Sequence, residues 1–376
     1  MEKSKVYFTD FRTHYGGESM PQKLVRLAKK AGIANIDFDG KIVAIKMHFG
    51  ELGNVAYLRP NYAKAIVDLI KELGGKPFLT DCNTLYVGSR KNALEHLECA
   101  WENGFSPLSA GAPIIIGDGV KGTDDIEVPV DGEYVKNAKI GRAVMDADIF
   151  ISLTHFKGHE STGFGGTIKN IGMGCGSRAG KADMHSQGTP SINPDKCRGC
   201  KMCQKACANN GLKYDEATKK MTIDKNNCLG CGRCLGACNF DAISFTEDNA
   251  VPVLNAKMAE YVKAVVTGRE CFHLSLIMDV SPHCDCHSEN DAPIIPNIGM
   301  LASFDPVALD QACADLCLKQ TPNANSLLGD NMKDPHFVDH HDHFINTTPE
   351  SQWETQLIHG EKIGLGTRQY ELEIVK

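Results

Sequence analysis

Two cysteine runs of identical spacing constrain this chain more than any other feature. Cys197-x2-Cys200-x2-Cys203-x3-Cys207 recurs as Cys228-x2-Cys231-x2-Cys234-x3-Cys238. Each x2 step wraps backbone around one face of a cubane, so three thiolates reach three irons, and the fourth cysteine ligates the other cluster. The pattern predicts two 4Fe–4S clusters. Cys197, Cys200, Cys203 and Cys238 hold the first; Cys228, Cys231, Cys234 and Cys207 hold the second. Gly199, Gly230 and Gly232 let the chain turn tightly around sulfur. The proline that commonly follows the fourth cysteine is replaced by Ala208 and Asn239, which removes no ligand. Structural zinc also uses CxxC pairs, but two complete quartets at these spacings are the more specific signal for cubanes. Lys196, Arg198, Lys201 and Lys205 around the first run either steer an acidic electron-transfer partner or offset the cluster's charge.

The remaining eight of the 16 cysteines are dispersed through a chain of 376 residues, which argues against a disulfide scaffold. Most sit in apolar contexts and read as small buried hydrophobes. Hydrophobic residues make up 42%, enough for a full core, and the net charge of −7 with no long basic run excludes the footprint of a nucleic-acid binder. The start lacks a signal-peptide h-region, and no stretch has the apolar length of a membrane span. The expectation is a cytoplasmic protein that binds neither nucleic acid nor membrane.

Outside the cysteine runs, strand and helix signals alternate. Lys41–His48, Lys76–Asp81, Pro113–Gly117 and Ala147–Leu153 read as buried strands, with helices over Pro60–Leu73 and Arg90–Asn103. After Cys238 come a short strand at Ala242–Phe245 and a helix at Lys257–Val266. A strand at Phe272–Val280 follows, then a helix at Asp305–Leu318 with Asp305 as cap and Pro306 first, and a closing strand at Tyr370–Val375. The fold class expected is α/β: a mostly parallel sheet body with an inserted α+β module of bacterial-ferredoxin type. The body spans residues 1–189 and 250–376, and the insert spans 190–249. Ligands of such sheets sit at the carboxyl ends of the strands, which directs attention to His48–Glu51, Asp81–Arg90 and His155–His159.

The segment from His155 to Cys175 follows a predicted strand, and eight glycines fall between Gly158 and Gly180. Such a loop can close backbone N–H groups on an anion or a cofactor, although it matches neither a Walker A loop nor a dinucleotide fingerprint. Close loop packing is the plainer reading. With His155, Lys157, His159, Lys169 and His185 at a strand end, a site is the better one. A second candidate is His283-Cys284-Asp285-Cys286-His287, where Cys284 and Cys286 either bind a soft metal or pack with Asp285 against the glycine segment through hydrogen bonds. The run Asp339–His343 reads as a solvated loop, and His96 and His273 as ordinary helix and strand residues.

These residues resemble a known family. Lys46-Met-His-Phe-Gly-Glu51, Pro77-Phe-Leu-Thr-Asp81, Thr84-Leu-Tyr86, His155-Phe-Lys-Gly-His-Glu160, Gly163-Phe-Gly-Gly166, Lys169-Asn170 and Cys284-Asp-Cys286 resemble, almost end to end, the iron–sulfur centre proteins of domain-of-unknown-function family 362. A more distant resemblance is to the lactate racemases, through His159-x3-Gly163-Phe164, Gly165-Gly166-x2-Lys169 and His185. That resemblance implies a nickel-pincer cofactor held covalently by Lys169, with His185 as nickel ligand and His159 as base. Two features depart from it: no second histidine falls between Thr84 and Arg90, and those racemases carry no ferredoxin insert.

Three functions follow as expectations. In the first, two 4Fe–4S clusters pass electrons to an active site in the body, with His155, His159 and Lys169 catalytic. Gly163, Gly165, Gly166, Lys169 and His185 would then hold a further metal or organic cofactor, and the protein would be an anaerobic-type oxidoreductase acting on a small molecule. In the second the chain is a non-enzymatic electron carrier or adaptor. In the third it handles a metal or a pincer-type cofactor. The expected partner is an electron donor or acceptor protein.

Overall fold

The structure, a computed structural model, describes residues 3–85, 88–185, 190–205, 207, 210–228, 234, 238, 240, 242–245 and 251–376. Cys231, Gly230, Gly232, Ala208, Asn239 and Tyr86 lie outside the described residues.

The strands are β1 (Ser4–Asp10), β2 (Ile42–Lys46), β3 (Lys76–Asp81), β4 (Ile114–Ile116), β5 (Asp125–Pro129), β6 (Asn137–Gly141), β7 (Ile149–His159), β8 (Gly163–Gly165), β9 (Pro190–Ile192), β10 (Leu212–Asp215), β11 (Lys220–Ile223), β12 (Ile243–Phe245), β13 (Glu270–Ile277), β14 (Gly299–Ser303) and β15 (Tyr370–Ile374). The central sheet has the order β15-β1-β14-β13-β7-β2-β3-β4, with β8 folded back on the end of β7. β13, β7, β2, β3 and β4 run parallel as neighbours, while β14 runs antiparallel between β1 and β13. The expected mostly parallel α/β body is what the chain forms.

Strands at the centre of such a sheet are covered on both faces and read as near-continuous apolar runs. β2 (IVAIK) and β7 (IFISLTHFKGH) are of this kind, and every residue of β7 is buried. Phe150 and Phe156 face one core, while Ile149, Ile151 and Leu153 face the other. The helices begin at recognisable stops. They are α1 (Met20–Lys30), α2 (Pro60–Glu72), α3 (Ala93–Glu102), α4 (Pro107–Ala110), α5 (Arg142–Met145), α6 (Thr167–Cys175), α7 (Arg178–His185), α8 (Met202–Lys205), α9 (Val251–Val266), α10 (Pro306–Leu318), α11 (Leu327–Asn331), α12 (His343–Thr347) and α13 (Glu354–Lys362). Ser19 and Gln22 form a capping box on α1, Asn92 caps α3, and Asp305 caps α10 ahead of Pro306.

Two expectations are corrected. β7 does not stop at Leu153 but continues to His159, because residues 154–159 keep the sheet's alternation. The glycine segment is not an open loop. It is the β7–β8 hairpin followed by α6, whose Gly172 lies so close to the Met258 carbonyl that any Cβ there would collide.

Residues between Pro190 and Phe245 form two small antiparallel pairs, β9 with β12 and β10 with β11. Their side chains make a separate core of Cys197, Cys203, Leu212, Met221, Cys234, Cys238, Ala242 and Ile243.

Candidate functional site

Parallel strands deliver their carboxyl ends to one edge of the sheet, and three of them build the site. β7 is paired with β13 on one side and β2 on the other. The chain leaving β13 folds back over β7: Gly158 N–H donates to the Ser281 carbonyl at 2.8 Å, and a Cβ at Gly158 would sit 2.7 Å from that oxygen. This places the Cys284-Asp285-Cys286 turn against the last residues of β7 and the first turn of α6. A hydrogen bond from His287 N–H to the Cys284 carbonyl, at 3.0 Å, closes the turn.

Lys169 of α6 donates from Nζ to Cys284 Sγ at 2.9 Å. Cys286 and His159 are the other groups that act on this sulfur. Cys286 first, then the charge of Lys169 and the neighbouring His159, outweigh the cost of burial and hold the Cys284 thiol well below its usual range. Cys284 in turn, with burial, pushes Cys286 well above that range. Of the two sulfurs, Cys284, with the Lys169 ammonium 2.9 Å away, is the one placed to carry negative charge. Burial works against a charged Lys169, yet Cys284 and Cys286 beside it raise its pKa above the lysine range. His159 Nδ1 accepts from the Ser161 and Thr162 N–H groups at 3.0 and 3.1 Å, which leaves Nε2 to carry the proton, 3.7 Å from Glu160 Oε1.

Asp285, between the two cysteines, is held from the other side. His155 Nδ1 meets both its oxygens at 2.9 Å, while His155 Nε2 donates to the Met278 carbonyl at 2.7 Å. Lys157 Nζ adds a contact with Asp285 at 3.3 Å. Burial opposes the charge on Asp285, but His155 and Lys157 keep its pKa far below the carboxylate range. His155 thus has both ring nitrogens bound and orients the turn.

Glu160 and His287 form the outer rim, 3.0 Å apart. Burial pushes the pKa of Glu160 up, but the bond from His287 and the nearby His159 bring it down to about 2, and the same bond raises His287. His185, at the end of α7, is brought to this group: burial, then the charges of Lys169 and His159, lower its pKa to about 4.

The glycines serve close approach. A Cβ at Gly165 would sit 3.2 Å from Lys157 Cε and 3.3 Å from Lys169 Cδ. Gly166 lets Asp310 reach the start of α6, where its carboxylate takes the Thr167 and Ile168 N–H groups at 2.6 and 2.8 Å. The N–H groups expected to cradle an anion are thus occupied by a side chain of the same protein. Gly163, at φ +75°, lies under Trp353, where a Cβ would be 2.9 Å from the Trp353 Cβ.

Sequence reasoning singled out the segments His48–Glu51 and Asp81–Arg90 behind this site but not the pairings within them. Lys46 is buried with Asp81 at 3.1 Å and Asn170 at 2.9 Å. Glu51 pairs with Arg90 at 2.9 Å, and Arg90 Nη1 also approaches His48 Nε2 at 3.0 Å. Burial and the Arg90 charge keep His48 well below its usual pKa. Asp310 carried a signal: it is a charged residue on the buried stripe of α10 between Val307 and Cys313.

In the small module, Cys197, Cys200, Cys203 and Cys238 line one cavity together with Ile192, Met221, Phe240, Ala242 and Ile243. Cys197 accepts the Met221 N–H and Cys238 the Ala242 N–H, both at 3.4 Å; Cys207 accepts the Gly211 N–H at 3.2 Å. Apolar walls, backbone N–H groups aimed at sulfur and four free cysteines on one space suit an iron–sulfur cluster. Near Cys234, Arg178 is buried, and among the described residues its Nε and Nη2 have no hydrogen-bond partner; Asp118 and Cys234 are the acidic groups acting on it. Among the described residues, no group of three His, Cys, Asp or Glu side chains is placed to hold a single metal ion.

Fold and site define an α/β protein with a buried thiolate–ammonium pair at the strand ends and a separate cysteine-rich module. The chain belongs to the family described as Domain of unknown function (DUF362), which it matches over residues 43–315. It is 25% identical over 185 residues to a thylakoid-associated protein of Synechocystis sp., covering 48% of this chain and 54% of that one. The chain thus spans about half the length of this curated relative. Among solved structures, the lactate racemase apoprotein from Thermoanaerobacterium thermosaccharolyticum aligns at 12% identity and a TM-score of 0.42, over 99% of this chain and 83% of that chain. A protein from Thermotoga maritima aligns at 11% and 0.39, over 79% and 57%. Overlaps this loose carry no role across. Among the described residues no helix is long and apolar enough to cross a membrane.

Proposed function

We propose that the chain is a cytoplasmic iron–sulfur redox protein whose reacting site is the Lys169–Cys284 pair of the α/β body. The segment 190–249 acts as a ferredoxin-type insert. Cys197, Cys200, Cys203 and Cys238 hold one 4Fe–4S cluster, and Cys228, Cys231, Cys234 and Cys207 hold the second. Bound there, such clusters supply single-electron transfer. The exposed Lys196, Arg198 and Lys205 offer a basic face to an acidic donor or acceptor protein.

The observation that carries the reading is Lys169 Nζ at 2.9 Å from Cys284 Sγ. A thiolate is the reactive form of cysteine, and a lysine ammonium in a buried site is a strong way to hold it. His159 reaches the same sulfur, so Lys169 and His159 are the proposed catalytic residues. His155 positions the turn through Asp285. Gly163, Gly165 and Gly166 bring the strands and α6 close enough for these contacts, and His185 closes the site from α7.

Anaerobically purified protein tests this by combined iron, acid-labile sulfide, zinc and nickel analysis. The reading predicts about eight irons and eight sulfides per chain, as two cubanes require. Zinc in place of iron, with no acid-labile sulfide, would overturn it.

A further inference from the structure

Within the reading just given, we propose that Cys284 and Cys286 form a reversible disulfide, so that the site in the body is a two-electron thiol–disulfide couple. The class of substrate it exchanges with is a disulfide or dithiol.

With one residue between Cys284 and Cys286, the two Cα atoms are at most about 7 Å apart even in extended chain, and here they share a tight turn closed by the 3.0 Å bond from His287 N–H to the Cys284 carbonyl. A disulfide needs Cα atoms within about 4.4–6.8 Å. Both sulfurs lie beside Lys169, whose ammonium is 2.9 Å from Cys284. They also differ in access: Cys284 is buried, while Cys286 is partly open. Fixed groups surround the couple, with Lys169 and His159 on Cys284 and with His155 and Lys157 on the intervening Asp285.

The chemistry balances with these residues alone. An incoming disulfide meets Cys286 first. Cys286 passes its proton to the Cys284 sulfur and attacks one substrate sulfur; the substrate S–S bond breaks and a thiolate leaves. Cys284 returns that proton to the departing group and, again a thiolate against Lys169, attacks the Cys286 sulfur. The mixed disulfide breaks, the second substrate thiolate leaves, and the Cys284–Cys286 bond forms. One thiolate, one thiol and a disulfide have become a disulfide, a thiolate and a thiol, and two electrons have moved to the substrate. A dithiol reverses the sequence. Lys169 stabilises only the reduced form, because the disulfide carries no charge for the ammonium to meet.

The test equilibrates the anaerobic protein in buffers of oxidised and reduced dithiothreitol, then alkylates and maps peptides by mass, with iron measured on the same samples. The expected result is a Cys284–Cys286 peptide alkylated twice at reducing poise and protected at oxidising poise. Cys284→Ser and Cys286→Ser should each lose that transition. Lys169→Met should favour the disulfide by tenfold or more, a fall of about 30 mV in the potential of this two-electron couple. Two cysteines alkylated at every poise in protein that keeps its iron would overturn the couple and leave the proposed function standing. Stoichiometric zinc or nickel held by the pair would overturn it as well. Protein that lacks iron and sulfide yet shows the transition would sink the proposed function and leave the couple.

Discussion

Lys169 and Cys284, 115 positions apart in sequence, meet at 2.9 Å beyond the carboxyl ends of β7 and β13, which are hydrogen-bonded neighbours. The contact depends on two crossovers landing in register on the same strand edge. It joins the glycine-rich segment to the Cys-Asp-Cys turn.

Lys169 should set the thiolate character of Cys284. Lys169→Met removes the ammonium, and the pH midpoint for iodoacetamide labelling of Cys284 should rise by one unit or more, about 1.4 kcal/mol of differential stabilisation. Lys169→Arg should keep most of the effect.

Lys46, Asp81 and Asn170 hold the site from behind, and both members of the ion pair are buried. Lys46→Met strands the Asp81 carboxylate and should cost about 3–5 kcal/mol. Adding Asp81→Asn should recover much of that, because no buried charge then lacks its partner. Urea melts of the single and double variants check this.

Much of the frame was legible. Lys76–Asp81, the Asp305 cap and the closing strand at Tyr370 stood out because apolar runs and capping residues are local signals. β14 and the β5–β6 hairpin went unseen, since their short segments lack a sustained alternation. The end of β7 was misread because His155, Lys157 and His159 look like a polar loop. They instead continue the row of Ile151 and Leu153, and they became recognisable only with the strand's length. That Cys284, Asp285 and Cys286 would close on this segment was one of two readings, and only the pairing of β7 with β13 places them there. Asp310 was missed because its partners, the α6 N–H groups, lie 142 and 143 residues away.

Asp310 should impose a pH slope. Burial pushes its pKa up to about 6 from the ordinary 3.8, against two N–H bonds that favour the charged form. Between these values the folded carboxyl keeps a proton that the unfolded one has lost. Stability therefore falls as pH rises through that window and levels off above it. Asp310→Asn should remove this contribution and cost about 1–3 kcal/mol of stability, since one helix N–H loses its acceptor. Subtracting the variant's stability–pH curve from that of the parent isolates the effect.

Arg178 should tune the second quartet. Among the described residues two nitrogens of its buried guanidinium have no partner, and Cys234 is an acidic neighbour. Arg178→Gln should leave iron content unchanged and lower the midpoint potential of one cluster only, because an anionic centre loses a nearby positive charge. Potentiometric titration followed by electron paramagnetic resonance resolves the two.

The central claim is tested most directly by counting electrons in an anaerobic titration of the fully oxidised protein with dithionite. The account predicts about four per chain, one for each cubane and two for the Cys284–Cys286 pair, falling to about two in Cys286→Ser. Two electrons in both proteins would contradict a redox site in the α/β body, and none in either would contradict the clusters themselves.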